Sequence, residues 1–229
     1  MQHDSPPVTA PVRIQTSVTS RAEQAAIAWL CPRLPAWWTP DRLTALGMVG
    51  SVLVAAGFIL SHWSRDWLAL PVLGFVLNWF GDSLDGAIAR YRKIERPDYG
   101  YFIDHSLDAL SNTMLVLGIG LSPYLRMDTA LFALVGYLLL SVHTFISARI
   151  LGVFRLTYFG GGPTEMRLVL IGLTAAMYWV GPAMPPRQPF ATLPFTFFDG
   201  FVVVLGAVLM LIFIAQTVRT GIMLFRKGR

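Results

Sequence analysis

The chain has 229 residues, of which 55% are hydrophobic and only 14% charged, against about 25% charged in a soluble domain; this deficit excludes an ordinary water-soluble domain and points to lipid around the apolar excess. The net charge of +5 would suggest nucleic acid in a soluble protein, but the basic residues fall between apolar runs, where membrane loops carry them, so no nucleic-acid role follows. A single cysteine, Cys31, excludes a disulfide framework within one chain and a thiolate metal site.

Residues 1–20 are polar and include Asp4, Pro6, Pro7 and Pro11. They lack the basic start and apolar run of a secretory signal and are expected to form a disordered tail. Residues 21–229 are expected to form one membrane domain, with no internal repeat. Within Ala22–Trp38, Ala25, Ala26, Trp29 and Leu30 recur at helical spacing. With Trp29, Trp37 and Trp38 suited to headgroup level, this predicts a helix lying on the cytoplasmic membrane face.

Crossing a bilayer core of about 30 Å takes roughly 20 mostly apolar helical residues. Six stretches qualify: Leu43–Leu60, Leu68–Ala89, Phe102–Leu121, Leu131–Ile150, Arg167–Met184 and Phe197–Phe225. The fifth is cut short by Gly181, Pro182, Pro185 and Pro186; the sixth is longer than a bilayer needs. The fold class read from this pattern is all-α, a polytopic bundle of six transmembrane helices with an interfacial helix ahead of it. Of the 18 Lys and Arg residues, 15 lie before the first span, in the second and fourth loops, or at the C-terminal end; Arg65, Arg126 and Arg187 lie on the other side. Basic residues favour cytoplasmic loops, so both termini are expected in the cytoplasm.

Asp82 and Asp85 fall near the cytoplasmic end of the second predicted span, and Asp104 and Asp108 near the start of the third. Spacings of i, i+3 and i, i+4 put each pair on one helix face, and a short loop between antiparallel helices lets the four converge. One Asp at the centre of a span costs about 2.5–3.5 kcal/mol on insertion scales, and crowding raises that cost. Cations relieve both penalties, and oxygen ligands without Cys or paired His favour Mg²⁺, Mn²⁺ or Ca²⁺ over zinc. Gly86 and Ala89 share the face of the first pair and allow close approach of a backbone or ligand; Arg90, one turn after Gly86, is placed to reach a phosphate.

The stretch reads Asp82-Ser-Leu-Asp85-Gly86-Ala-Ile-Ala89-Arg90, then nine residues, then Gly100-x-x-x-Asp104-x-x-x-Asp108. It resembles the signature of the CDP-alcohol phosphotransferases, D-x-x-D-G-x-x-A-R followed by G-x-x-x-D-x-x-x-D. All eight signature residues are present, and the spacer is one residue longer than usual. The resemblance implies an enzyme that displaces CMP from a CDP-linked donor with an alcohol or lipid acceptor in the membrane. It implies two divalent cations, Mg²⁺ or Mn²⁺, on Asp82, Asp85, Asp104 and Asp108, with Asp108 also the general base. Gly86 and Arg90 would contact the CDP part of the donor. Pro40-Asp41-Arg42-Leu43-Thr44 resembles the family's P-N-x-x-T start of the first span, which adds Thr44 to the donor contacts and leaves Asp41, in place of Asn, open to simple capping along with Thr39. Homodimers are common in the family.

The acceptor side is less defined. Arg149, Arg155 and Arg167 are candidates for holding a phosphoalcohol, against the general cytoplasmic bias of basic residues. Gly160-Gly161-Gly162-Pro163-Thr164-Glu165 offers backbone N–H groups to a phosphate or a plain loop, with Thr164 or Glu165 as a cap. Asp104-His105 and Thr164-Glu165 look more like choline- and ethanolaminephosphotransferases than glycerol-phosphate users, so CDP-diacylglycerol and CDP-choline or CDP-ethanolamine both stand as donors. His105 is either a packing residue or a neighbour of the metal ligands, and His143 is expected to be hydrogen-bonded within the bundle. The competing function is a small divalent-cation transporter or channel. An ion path has no use for Gly86, Ala89, Arg90 and Gly100 at their offsets, and would place its acids near the midplane.

Overall fold

The computed structural model describes residues 12–14, 19–151, 153–155, 162–182 and 194–227. Seven helices fill these: α1 (Ser20–Leu30), α2 (Pro40–Leu60), α3 (Ala69–Arg92), α4 (Pro97–Gly120), α5 (Met127–Leu151), α6 (Pro163–Val180) and α7 (Phe197–Lys227). Two three-residue strands, β1 (Val12–Ile14) and β2 (Val153–Arg155), pair in parallel. β1 lies inside the stretch expected to be a tail; residues 1–11 and 15–18 lie outside the described residues.

Among the described residues, four segments are long and apolar enough to cross a membrane: Pro40–Leu60, Arg65–Arg92, Met127–Leu151 and Phe197–Lys227. Together with α4 and α6 they make an all-α membrane bundle, and the chain is an integral membrane protein. Each predicted span has its helix, with shifted ends. α2 starts at Pro40 because Thr39 caps it, its hydroxyl accepting from the Arg42 N–H at 3.3 Å, while Pro40 supplies a first position that needs no N–H partner. α3 closes with Lys93 in the left-handed region, and the Ile94 N–H returns to the Ala89 carbonyl at 3.0 Å, a Schellman-type stop. α6 begins at Pro163, four residues before the predicted Arg167, and Gly181 at φ 82° ends it; Met184, Pro185 and Pro186 lie outside the described residues.

The interfacial helix predicted over Ala22–Trp38 is shorter than expected. α1 stops at Leu30, a single 3-10 turn follows over Cys31–Arg33, and residues 34–38 are not helical. Pro32 is the physical cause: its ring meets the carbonyl four residues back and it has no N–H to donate. The guanidinium of Arg92 then fastens the non-helical stretch, donating to the carbonyls of Leu34, Pro35, Ala36 and Trp38. α1 itself is tied to α3 by Glu23, whose carboxylate accepts from Trp79 Nε1 at 3.2 Å and Ser83 Oγ at 3.0 Å.

α2 and α3 form the closest pair. A methyl group on Gly50 would sit 2.6 Å from the Gly74 carbonyl oxygen, and one on Gly74 would meet the Gly50 carbonyl in return. Only hydrogen at both positions lets the two backbones touch. The buried apolar residues divide into two clusters. One holds Cys31, Leu43, Leu84, Ala87 and Ile88, at the end where α1 packs. The other holds Val54, Phe58, Phe75, Ile119, Tyr124, Met177 and Phe198, at the opposite end. There Asp199 is fully buried and accepts from Arg126 N, Thr129 Oγ1, Thr196 N and Thr196 Oγ1 at 2.7–2.9 Å, which joins the starts of α5 and α7.

Candidate active site

Asp82 and Asp85 lie on the last turns of α3, Asp104 and Asp108 on the first turns of α4, and Thr44 on the first turn of α2. All five side chains line one cavity of about 20 Å³ near the α1 end of the bundle. The α2–α3 contact through Gly50 and Gly74 brings Thr44 to Asp85: its hydroxyl donates to Asp85 Oδ2 at 2.7 Å. The group expected to meet the donor is therefore engaged in orienting a carboxylate. On α4, oxygens of Asp104 and Asp108 and a ring nitrogen of His105 lie within 4.8 Å of one another. His105 also stacks on Phe145 at 5.0 Å, meets Tyr101 edge-on at 4.2 Å, and places Nδ1 3.5 Å from Asp104 Oδ2.

Asp82 has a partner that sequence reading did not assign to it. Arg167, on α6, donates from Nη2 to Asp82 Oδ2 at 2.5 Å and from Nε to Asn78 Oδ1 at 2.9 Å. Asn78 also lines the cavity. Its position was open to sequence reading: it is a polar residue one turn before Asp82, in an otherwise apolar run, on the same helix face.

The remaining candidates divide. Arg90 is exposed at the end of α3. A methyl group on Gly86 would meet little but the flexible Arg90 guanidinium, at 3.3 Å, and one on Gly100 would meet nothing within 4 Å. Packing within the chain therefore requires glycine at neither position. Asp41 is paired with Arg96 at 2.5 Å, both half-exposed. Glu165 serves as a cap: one oxygen accepts from the Gly162 N–H at 2.9 Å, the other from the Thr19 N–H and hydroxyl at 2.8 and 2.7 Å. Gly160, Gly161 and the side chain of Arg155 lie outside what is described, and Arg149 is exposed at the end of α5. His143 is hydrogen-bonded within the bundle, to Ser147 on its own helix and Thr217 on α7.

The donor set suits a hard divalent cation, since the cavity gathers carboxylate oxygens from two helices, and the Met48 thioether that also lines it already accepts from Ser111 Oγ at 3.2 Å. The Arg167 guanidinium already rests on Asp82, so the site accepts positive charge as it stands.

The family model for CDP-alcohol phosphatidyltransferases matches residues 37–224. The chain belongs to that family. Among its relatives is an archaetidylinositol phosphate synthase of Pyrococcus horikoshii, 32% identical over 104 residues, which are 45% of this chain and 52% of that protein. A cholinephosphotransferase 1 of Gallus gallus is 32% identical over 97 residues, 39% of this chain and 28% of the relative. The inner membrane protein YnjF of Escherichia coli is 36% identical over 80 residues, 35% of each. The chain thus spans about half, or less, of the length of the curated relatives it matches.

Proposed function

We propose that this membrane protein is a phospholipid-synthesising transferase. It moves a substituted phosphate from a CDP-linked donor to an alcohol acceptor and releases CMP. The observation that carries this reading is the convergence of Asp82, Asp85, Asp104 and Asp108 on one cavity, within a family-matched chain. The cavity, about 20 Å³, is on the scale of one or two water-sized groups, so it suits ions, and a nucleotide would lie across its mouth. Gly86 follows Asp85 directly, and what lies nearest to it is the Arg90 guanidinium, which supports the assignment of both to the CDP moiety.

Asp82, Asp85, Asp104 and Asp108 would hold two divalent cations, Mg²⁺ or Mn²⁺, which would neutralise the donor pyrophosphate and the departing CMP. The protein's own residues do the rest. Thr44 fixes the Asp85 carboxylate. Arg90 supplies a planar fork of donors for a phosphate. The acceptor oxygen forms a bond to the donor phosphorus that carries the substituent, the bond from that phosphorus to the CMP oxygen breaks, and the hydroxyl proton passes to Asp108. Among the described residues none donates a hydrogen bond to the Asp108 carboxylate, which supports its being available to take a proton.

The relatives' names speak of archaetidylinositol phosphate in one case and cholinephosphate in another, so the donor is assigned by class: CDP-diacylglycerol, or CDP-choline or CDP-ethanolamine. The test is CMP release by the purified protein in detergent, offered CDP-diacylglycerol or CDP-choline with a panel of alcohol acceptors. Release is expected with Mg²⁺ or Mn²⁺. It should stop with chelator and in Asp82→Asn, Asp85→Asn and Asp104→Asn proteins that remain folded. Full activity in any of these variants refutes the carboxylate site.

A further inference from the structure

Arg167 and Asn78 form a built pair rather than a chance surface contact. The Arg167 side chain is 14% exposed and that of Asp82 27%. Asn78 is fixed from the other side: its Nδ2 donates to the Gly47 carbonyl at 3.2 Å and to Ser51 Oγ at 3.1 Å, and Ser51 Oγ donates to the same carbonyl at 3.2 Å. These acceptors on α2 orient the amide so that Oδ1 faces Arg167 Nε. The resulting chain of contacts runs from α2 through α3 to α6 and ends on a carboxylate of the cavity. General attraction of basic residues to the cytoplasmic side explains an arginine near this end. It does not explain an amide held in the one orientation that presents an acceptor to that arginine.

We propose that Arg167, positioned by Asn78, is the internal counter-ion of the carboxylate site. It neutralises Asp82 while the site holds no metal and withdraws from Asp82 when a divalent cation binds. The inference rests on the proposed metal reading of the four aspartates and adds a competitor to it. Two cations cannot share one carboxylate oxygen at full strength, because the second meets both the repulsion of the first and an oxygen already committed to a short charge-assisted bond. Arg167 therefore keeps the metal-free protein intact at the cost of metal affinity.

The test is Mn²⁺ titration of the purified full chain in detergent, with bound metal read by calorimetry or by electron paramagnetic resonance. Arg167→Gln is expected to bind Mn²⁺ about tenfold more tightly than wild type, the scale of one charge-assisted hydrogen bond. Its metal-free form should melt at a lower temperature and gain more from Mn²⁺. Asn78→Leu, which frees only one end of the guanidinium, should shift affinity the same way by a smaller factor. A third readout needs no variant: modification of Arg167 by phenylglyoxal, followed by mass spectrometry of its peptide, should speed up when Mn²⁺ is added to wild type. A folded Arg167→Gln protein with unchanged or weaker Mn²⁺ binding overturns the counter-ion role and leaves the metal site standing. So does labelling that Mn²⁺ leaves unchanged or slows, should Arg167→Gln fail to fold. If neither wild type nor Arg167→Gln binds Mn²⁺, the metal reading itself falls and the counter-ion role with it.

Discussion

Asp82 and Asp85 accept hydrogen bonds from other helices, from Arg167 on α6 and Thr44 on α2, while no described residue donates to the Asp108 carboxylate. That contrast supports the proposed role of Asp108 as base in addition to ligand. Asp108→Asn should still bind the CDP donor with metal present, yet turn over at least about 100-fold more slowly, the usual scale of general-base loss. Raising Mg²⁺ should not restore it; if saturating metal brings the rate back, Asp108 is a ligand only. Thr44→Val should behave in the opposite way. The variant keeps the side-chain volume but leaves Asp85 without its cross-helix donor, and losing a partner that orients a ligand costs about 10–100-fold in metal affinity. CMP release should therefore fall at limiting Mn²⁺ and recover at saturating Mn²⁺; a rate that no metal concentration rescues would assign Thr44 to the donor instead. The four aspartates were legible in the sequence because their offsets are short and helical. Arg167 was visible only as one of several basic residues, since its partner Asp82 lies 85 positions away and nothing local predicts a contact between α3 and α6. Asn78 passed unnoticed because a single amide in an apolar run has many structural uses.

At the scale of elements, apolar runs fixed the existence of the helices, and local chemistry moved their ends. Hydropathy says nothing of Pro32, which stops α1 at Leu30, or of Glu165, which caps α6 and holds Thr19 with the same carboxylate. Asp199 is the clearest case of a charged residue that composition alone misreads. It stands at the start of an apolar helix, is fully buried, and yet carries none of the candidate chemistry. Its two oxygens take four donors from the α4–α5 turn, the first turn of α5 and the residue capping α7. Asp199→Ala would leave buried donors unmatched and the starts of α5 and α7 unpinned. Hydrogen bonds to charged groups contribute about 1.5–3 kcal/mol, so a loss of at least about 2 kcal/mol follows, seen as a lower melting temperature in detergent. Mn²⁺ affinity of the folded fraction should be unchanged, because the residue lies at the end of the bundle away from the carboxylates. A variant that melts like wild type would show that the four bonds contribute nothing.

On the scale of the whole molecule, the question is how many helices cross the membrane. α4 and α6 are less apolar than the other four: α4 carries Asp98, Asp104 and Asp108, and α6, the shortest of the six, carries Glu165 and Arg167. Their contacts nevertheless run the full height of the bundle. α4 begins beside the α3 carboxylates and ends where the His62 ring meets the Leu121 carbonyl at 2.7 Å, in the turn between α2 and α3. α6 begins with Arg167 on Asp82 and reaches that same far end, where Arg65 lies 5.1 Å over the Tyr178 ring. If α2 and α3 span the bilayer, helices joining the same two ends span it too, which gives six crossings. α1 packs at the carboxylate end through Glu23 and Ser83. α7 starts at the opposite end with Asp199 and runs about 46 Å at 1.5 Å per residue, past the roughly 30 Å core and back to the carboxylate side. The start of α1, the end of α7 and the carboxylates should therefore share one face, and the 15-to-3 division of basic residues predicts that this face is cytoplasmic. Reporter fusions at either end should give cytoplasmic signals, and a cysteine placed at Trp63, 58% exposed in the turn between α2 and α3, should react with an impermeant thiol reagent from the other side. A luminal or periplasmic signal from one terminus alone would mean an odd number of crossings. Such a signal from both would keep the six helices but turn the carboxylates away from the cytoplasm.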